Sequence, residues 1–129
     1  MQISENTTTP TILLVEDDRI VSAMVQHLLT RRGYNVQTAA DGRAAAAMID
    51  KIDAPRLVIL DVMLPFIDGF ELISRIKSKP DWSDVRVIML TSKTQERNVV
   101  RAIESGADDY IVKPFQPQEL MARVGRFIK

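Results

Sequence analysis

Two kinds of apolar segment alternate along this chain. Short β-branched or aliphatic runs occur at Thr11–Val15, Tyr34–Thr38, Leu57–Leu60, Val85–Leu90 and Tyr110–Val112. They have strand length, and the stretches 12–15, 57–60 and 87–90 are apolar at every position. Unbroken apolarity, rather than alternation, predicts strands buried on both faces, as in a parallel sheet covered by helices. Residues 1–10 are polar, end in proline and read as a flexible lead-in to a single domain over 11–129.

Between these runs the period changes to that of a helix. Ile20, Val21, Met24, Val25, Leu28 and Leu29 recur at helical spacing, and Gly33 stands where a C-terminal cap belongs. A second helix is predicted from about Asp41 to Ile52. Its four alanines, Ala44–Ala47, favour helix but offer a thin core contact. Phe70, Leu72, Ile73 and Ile76 mark a third helix before Pro80, and Val99, Val100 and Ile103 a fourth, closed by Gly106. Leu120, Met121, Val124, Phe127 and Ile128 mark the fifth. The pattern is (βα)5, which right-handed crossovers wind into an α/β sheet with helices on both faces. Five parallel strands fit the doubly wound, flavodoxin-like order 2-1-3-4-5. Ligands of such sheets bind beyond the carboxyl ends of the strands, at the switch point between strands 1 and 3.

The polar residues at those ends are therefore the candidates for chemistry. Strand 1 leads into Glu16, Asp17 and Asp18, and strand 3 into Asp61. Strand 4 ends in Thr91 and Ser92, and strand 5 in Lys113 before Pro114. Carboxylates packed within a few ångströms repel one another and are stabilised by a cation. An all-oxygen set suits a hard divalent ion, and a small site that keeps several waters suits magnesium. Lys113 and Thr91 would instead face an anion bound above the metal, most simply a phosphoryl group. An acidic pair in a loop is ordinarily just solvated, so Asp17 and Asp18 alone carry little. Asp61 differs, because an acid that ends a run of buried aliphatics needs compensation.

Composition removes several other classes. The 129 residues carry 17 basic and 17 acidic side chains, a formal charge of zero, which argues against a generally basic nucleic-acid surface or attraction to anionic membranes. Residues 1–66 hold six basic and eight acidic groups and residues 67–129 eleven and nine, too small an asymmetry to indicate a partner. The absence of cysteine excludes disulfide scaffolds, thiolate metal sites and thiol nucleophiles. No apolar run approaches the roughly 20 residues that span a bilayer. The start, MQISENTTTP, lacks the regions of a secretory signal, so a cytoplasmic protein is expected. His27 reads as a helix-surface residue and Trp82 as loop packing.

The strings LLVEDD (13–18), LVILDVMLPFIDG (57–69), IMLTS (88–92) and GADDYIVKPF (106–115) resemble the receiver (CheY-like) domain of two-component response regulators. Four motifs in order, at matching strand ends, cover nearly the whole chain after residue 10. The resemblance implies that Asp61 is the phosphoryl acceptor for a phosphohistidine on a sensor histidine kinase or a phosphotransfer protein, by nucleophilic attack. It implies that Asp17 binds Mg²⁺ (with Mn²⁺ able to substitute), that Glu16 holds it through water, and that Met63 offers its backbone carbonyl. Glu16 departs modestly from the aspartate more usual there, and Asp18 falls just outside the ligand set. Lys113 would neutralise a phosphoryl oxygen, and the Lys113–Pro114 bond is expected to be cis. Thr91 would turn to bond the phosphoryl group and let Tyr110 rotate inward, so that the face of helix 4, strand 5 and helix 5 reads out the change to an output domain or effector. Met63 and Lys93 stand where phosphoryl lifetime is tuned, and a Met there cannot position an attacking water. Such a domain is not an enzyme acting on other substrates.

Asp109, Glu119 and Arg123 match charged positions that pair across a phosphorylation-dependent homodimer in receivers joined to winged-helix domains. The basic partner on helix 4 is replaced by Val99, which leaves that set incomplete. The last residues fall at or within the fifth helix, which suits a stand-alone receiver or a piece of a longer regulator or hybrid kinase. Three other classes fit less well. A haloacid-dehalogenase-type phosphatase needs a second aspartate where Met63 stands, a flavodoxin would meet repulsion of its phosphate from Glu16, Asp17 and Asp18, and a pseudo-receiver would lack part of the constellation that is present.

Overall fold

The computed structural model describes residues 11–92, 100, 101 and 103–128. Five strands, β1 (Thr11–Val15), β2 (Asn35–Ala39), β3 (Leu57–Asp61), β4 (Arg86–Ser92) and β5 (Asp109–Lys113), form one sheet. All the pairings are parallel and the order is β2-β1-β3-β4-β5, as the sequence predicts. The helices are α1 (Arg19–Arg31), α2 (Gly42–Lys51), α3 (Gly69–Ser78) and α5 (Pro117–Phe127), with a 3-10 turn at Pro80–Trp82. Residues 100, 101, 103 and 104 are helical and belong to α4. The lead-in 1–10, Lys93, Arg97 and Val99 lie outside the described residues.

Unbroken apolarity produces two cores, divided by strand parity. Leu13, Val15, Val58, Leu60, Val87 and Met89 face α2 and α3 and pack with Ala45, Ala46, Ile49, Leu72, Ile73 and Ile76. Ile12, Leu14, Leu57, Ile59, Ile88 and Leu90 face the other way and pack with Val25 and Leu29 of α1 and Leu120 and Val124 of α5. Only Ala45 and Ala46 of the alanine run are buried, which accounts for its thin contact. Trp82 is 1% exposed and closes the first core just before β4. His27 is exposed on α1. No described helix is long and apolar enough to cross a membrane.

Local signals set the helix ends. Asp18 Oδ1 accepts from the backbone N–H groups of Ile20 and Val21 at 2.9 and 3.1 Å, capping α1. Asp41 caps α2 through Ala44 N at 2.7 Å, and Asp68 caps α3 through Glu71 N at 2.9 Å. At the far end of α1, Gly33 N and Tyr34 N donate to the Thr30 and Leu29 carbonyls, the closing turn expected at Gly33. The Asp18 cap starts α1 just beyond the carboxyl end of β1, and the Asp68 cap starts α3 after the turn 62–68 that follows β3, so both shape the crevice there.

Burial predicts where stability resides. Ile59, on the central strand and 0% exposed, should lose about 2–5 kcal/mol on substitution by Ala. Ile20→Ala, at a position 82% exposed, should stay within about 0.5 kcal/mol of the parent. Urea unfolding of the two variants checks the contrast.

Candidate functional site

At the carboxyl ends of β1, β3 and β5, three of the residues singled out from sequence meet. Lys113 Nζ donates to Glu16 Oε1 and to Asp61 Oδ2, both at 2.7 Å. The other oxygen of each carboxylate is also engaged. Glu16 Oε2 accepts from Asp18 N at 3.0 Å, and Asp61 Oδ1 accepts from Met63 N at 3.2 Å. Glu16 and Asp61 are buried, whereas Asp17 is exposed. Glu16, Asp17 and Asp61 each present an oxygen, and these lie within 4.8 Å of one another. Such an all-oxygen cluster is compatible with a divalent metal.

The electrostatics follow from crowding and dryness. Burial pushes the Glu16 carboxyl up to about 7, with the Asp61 charge adding to the shift and hydrogen bonds from Lys113 and Asp18 opposing it. Burial alone would lower the Lys113 ammonium. Its hydrogen bonds to Asp61 and Glu16, and their charges, outweigh burial and raise it above the usual lysine value. One ammonium therefore serves two carboxylates, with a third close by.

Thr91 ends in the same region on β4. It is fully buried, and its hydroxyl has no hydrogen-bond partner among the described residues. A buried hydroxyl without a partner is costly, so a group entering the crevice would meet a donor already desolvated. Ser92 is half-buried. Tyr110 is half-buried and packs against the α2–α3 side of the sheet. Met63 leaves its side chain 58% exposed at the rim. The Lys113–Pro114 peptide is cis.

The response regulator receiver domain matches residues 12–125. The chain belongs to that family. The receiver is 38% identical over 120 residues to the DNA-binding dual master transcriptional regulator RpaA of Synechocystis, covering 93% of this chain and 49% of that protein. It is 39% identical to the phosphate regulon transcriptional regulatory protein PhoB of Rhizobium meliloti, covering 93% of this chain and 52% of that protein. The receiver thus spans about half the length of the curated relatives it matches. Among solved structures, the chemotaxis response regulator CheY4 of Vibrio cholerae superposes with a TM-score of 0.85 at 33% identity, covering 93% of this chain and 99% of that one. The signal receiver domain of a signal transduction histidine kinase from Syntrophus aciditrophicus gives 0.85 at 36% identity, covering 93% and 90%. The receiver is therefore a domain of two-component signalling.

Several features escaped the sequence. Asp18, set outside the ligand set, serves as the α1 cap, a role that a carboxylate just before a helical run could have signalled. Asp109, Glu119 and Arg123 converge within one chain. Arg123 Nη1 reaches both oxygens of Asp109 at 2.9 and 3.0 Å, Arg123 Nη2 lies 3.2 Å from Glu119, and Arg126 lies 3.4 Å from Asp109. Asp108 receives Val87 N at 2.8 Å and Arg86 at 3.2 Å, fixing the approach to β5. Glu119 and Arg123 stand at the i, i+4 spacing of a helix-face ion pair, whereas nothing in the spacing marks the partners of Asp108 and Asp109.

The raised Glu16 value has two consequences of known sign. Without metal, a carboxyl held near 7 against 4.5 favours the folded state only when protonated, so its contribution to stability falls as pH rises between those values. A divalent cation held at this cluster would need the ionised form, so its affinity would rise about tenfold between pH 6 and pH 8. Calorimetric titration with Mg²⁺ checks this, and Glu16→Gln should flatten the dependence in that window.

Proposed function

We propose that Asp61 accepts a phosphoryl group from a phosphohistidine on a sensor histidine kinase or a histidine phosphotransfer protein. The observation that carries this reading is the disposition of its carboxylate. Lys113 and the Met63 N–H hold one oxygen each, beside Glu16 and Asp17. In the transfer an Asp61 oxygen forms a bond to phosphorus as the phosphorus–nitrogen bond of the histidine breaks, and the imidazole leaves with that electron pair. Mg²⁺ bound by Asp17, Asp61 and the Met63 carbonyl, with Glu16 acting through water, would neutralise charge on the phosphoryl oxygens. The donor chemistry fits it, since the three carboxylate oxygens outnumber the one ammonium among them.

Lys113 would follow the incoming charge, loosening from Asp61 to bind a phosphoryl oxygen. The Thr91 hydroxyl, without a partner among the described residues, supports its role as the switch donor. Turning toward the phosphoryl group satisfies it and frees space for Tyr110 to move inward from its half-buried position. The face of α4, β5 and α5 would then signal to an output domain or a separate effector, with a phosphorylation-dependent homodimer as one form of output. DNA binding, named for one relative, would belong to residues outside this domain. A receiver in the cytoplasm would suit such partners.

Incubation with Mg²⁺ and acetyl phosphate, followed by intact-mass analysis, should show a gain of one phosphoryl group that disappears in Asp61→Asn. No gain in the parent protein would remove this reading in favour of a pseudo-receiver. The phosphoryl group should persist for on the order of minutes or longer, because Met63 cannot position an attacking water. Loss of the added mass within seconds at neutral pH with Mg²⁺ would contradict that assignment.

A further inference from the structure

The turn that follows β3 is held at both ends. At its start, the Met63 N–H binds Asp61 Oδ1 at 3.2 Å and so sets the orientation of that carboxylate. At its tip, α2 clasps it. Gly42 N donates to Pro65 O at 3.1 Å, and a Cβ at Gly42 would collide with the Ile67 carbonyl oxygen. Only glycine permits this approach. Between the two ends, Phe66 has φ of 72°, in the left-handed region, and is 68% exposed. A bulky aromatic residue is disfavoured there, and so much exposure leaves little burial to compensate. What covers it is Arg43, whose guanidinium carbon stands 3.8 Å from the Phe66 ring centroid.

We propose that Gly42 and Arg43, the first two residues of α2, are positioning residues for Asp61 that act through the 63–67 turn. The inference rests on Asp61 being the phosphoryl acceptor. Asp41 fixes the start of α2 by capping Ala44, so the clasp has a rigid base. The Ile67 N–H donates to Pro65 O at 2.9 Å and closes a three-residue turn about Phe66, and Arg43 adds to that hold on a conformation that the Phe66 backbone disfavours. Releasing that hold lets the turn relax and swings the Met63 N–H away from Oδ1. The carboxylate then loses one of the two bonds that orient it, and Lys113 alone cannot fix both its oxygens.

Three quantities separate positioning from simple stabilisation: the unfolding midpoint, Mg²⁺ affinity by calorimetry, and the rate of phosphorylation by acetyl phosphate. Phe66→Gly removes the stacking and also the left-handed cost. It should keep a midpoint at or above that of the parent, yet react about three- to tenfold more slowly and bind Mg²⁺ more weakly. Arg43→Ala should slow the reaction by a similar factor, and Arg43→Lys, which keeps a cation over the ring, should stay within about twofold. Gly42→Ala should show the largest loss, about tenfold or more; the Phe66 and Arg43 variants carry the test should it not fold. Parental rate and affinity in both Phe66→Gly and Arg43→Ala would overturn the clasp and leave the acceptor assignment standing. So would rates that fall only in step with stability. A parent protein that gains no phosphoryl group would overturn both.

Discussion

Glu16 and Asp61 lie at the carboxyl ends of adjacent central strands, and the Lys113 ammonium bridges them at 2.7 Å on each side. Two carboxylates so close, both removed from water, would repel strongly and carry a large desolvation cost if left alone. The lysine comes from β5, two strands away from β3 in the sheet. The bridge therefore depends on the whole strand order, and it ties the first and last strands of the chain to the centre. It also leaves an imbalance, because one positive charge stands among three carboxylates that include Asp17. A site that is stable but short of positive charge is prepared for a further cation.

The rest of the architecture serves that geometry by being dry and stiff. Strand parity sends one set of side chains to α2 and α3 and the other to α1 and α5, so neither face of the sheet meets water along its centre. The polar groups emerge only where the strands run out. Thr91 is the exception, buried on β4 with its hydroxyl unpaired among the described residues. It shares that lack with Gln37 Oε1 of β2 among the described residues, but Thr91 stands near the end of its strand, on the side where the carboxylates lie and a change in charge would be felt.

Much of this was legible in the sequence because it depends on local pattern. Unbroken aliphatic runs located the central strands, and the order of elements allowed few topologies. The acids and the lysine could be placed together because each stands at the carboxyl end of a strand, and a parallel sheet brings those ends to one side. Boundaries were less secure where tertiary contact decides them. Tyr34 read as the start of β2, yet the strand begins at Asn35, while the Tyr34 hydroxyl reaches the Ile128 carbonyl at 3.4 Å beside α5. The left-handed Phe66, the Arg43 stacking and the closeness of Gly42 to Ile67 were invisible for the same reason. Each is defined by a neighbour more than twenty positions away or by a backbone angle that no side-chain pattern encodes.

The ion pairs of α5 have a consequence for recognition. Asp109, with a side chain only 9% exposed, already holds Arg123 and Arg126, and Glu119 holds Arg123 as well. A partner that recruits these arginines does not find idle charges. It would compete for the donors that Asp109 and Glu119 already hold, so the net gain from each exchanged contact would be small even with good geometry. Discrimination on such a surface comes from how faithfully a newcomer reproduces the bonds it replaces, and a poorly matched carboxylate is rejected without any repulsive element. Binding there would amount to an exchange of partners, sensitive to slight displacements of β5 against α5.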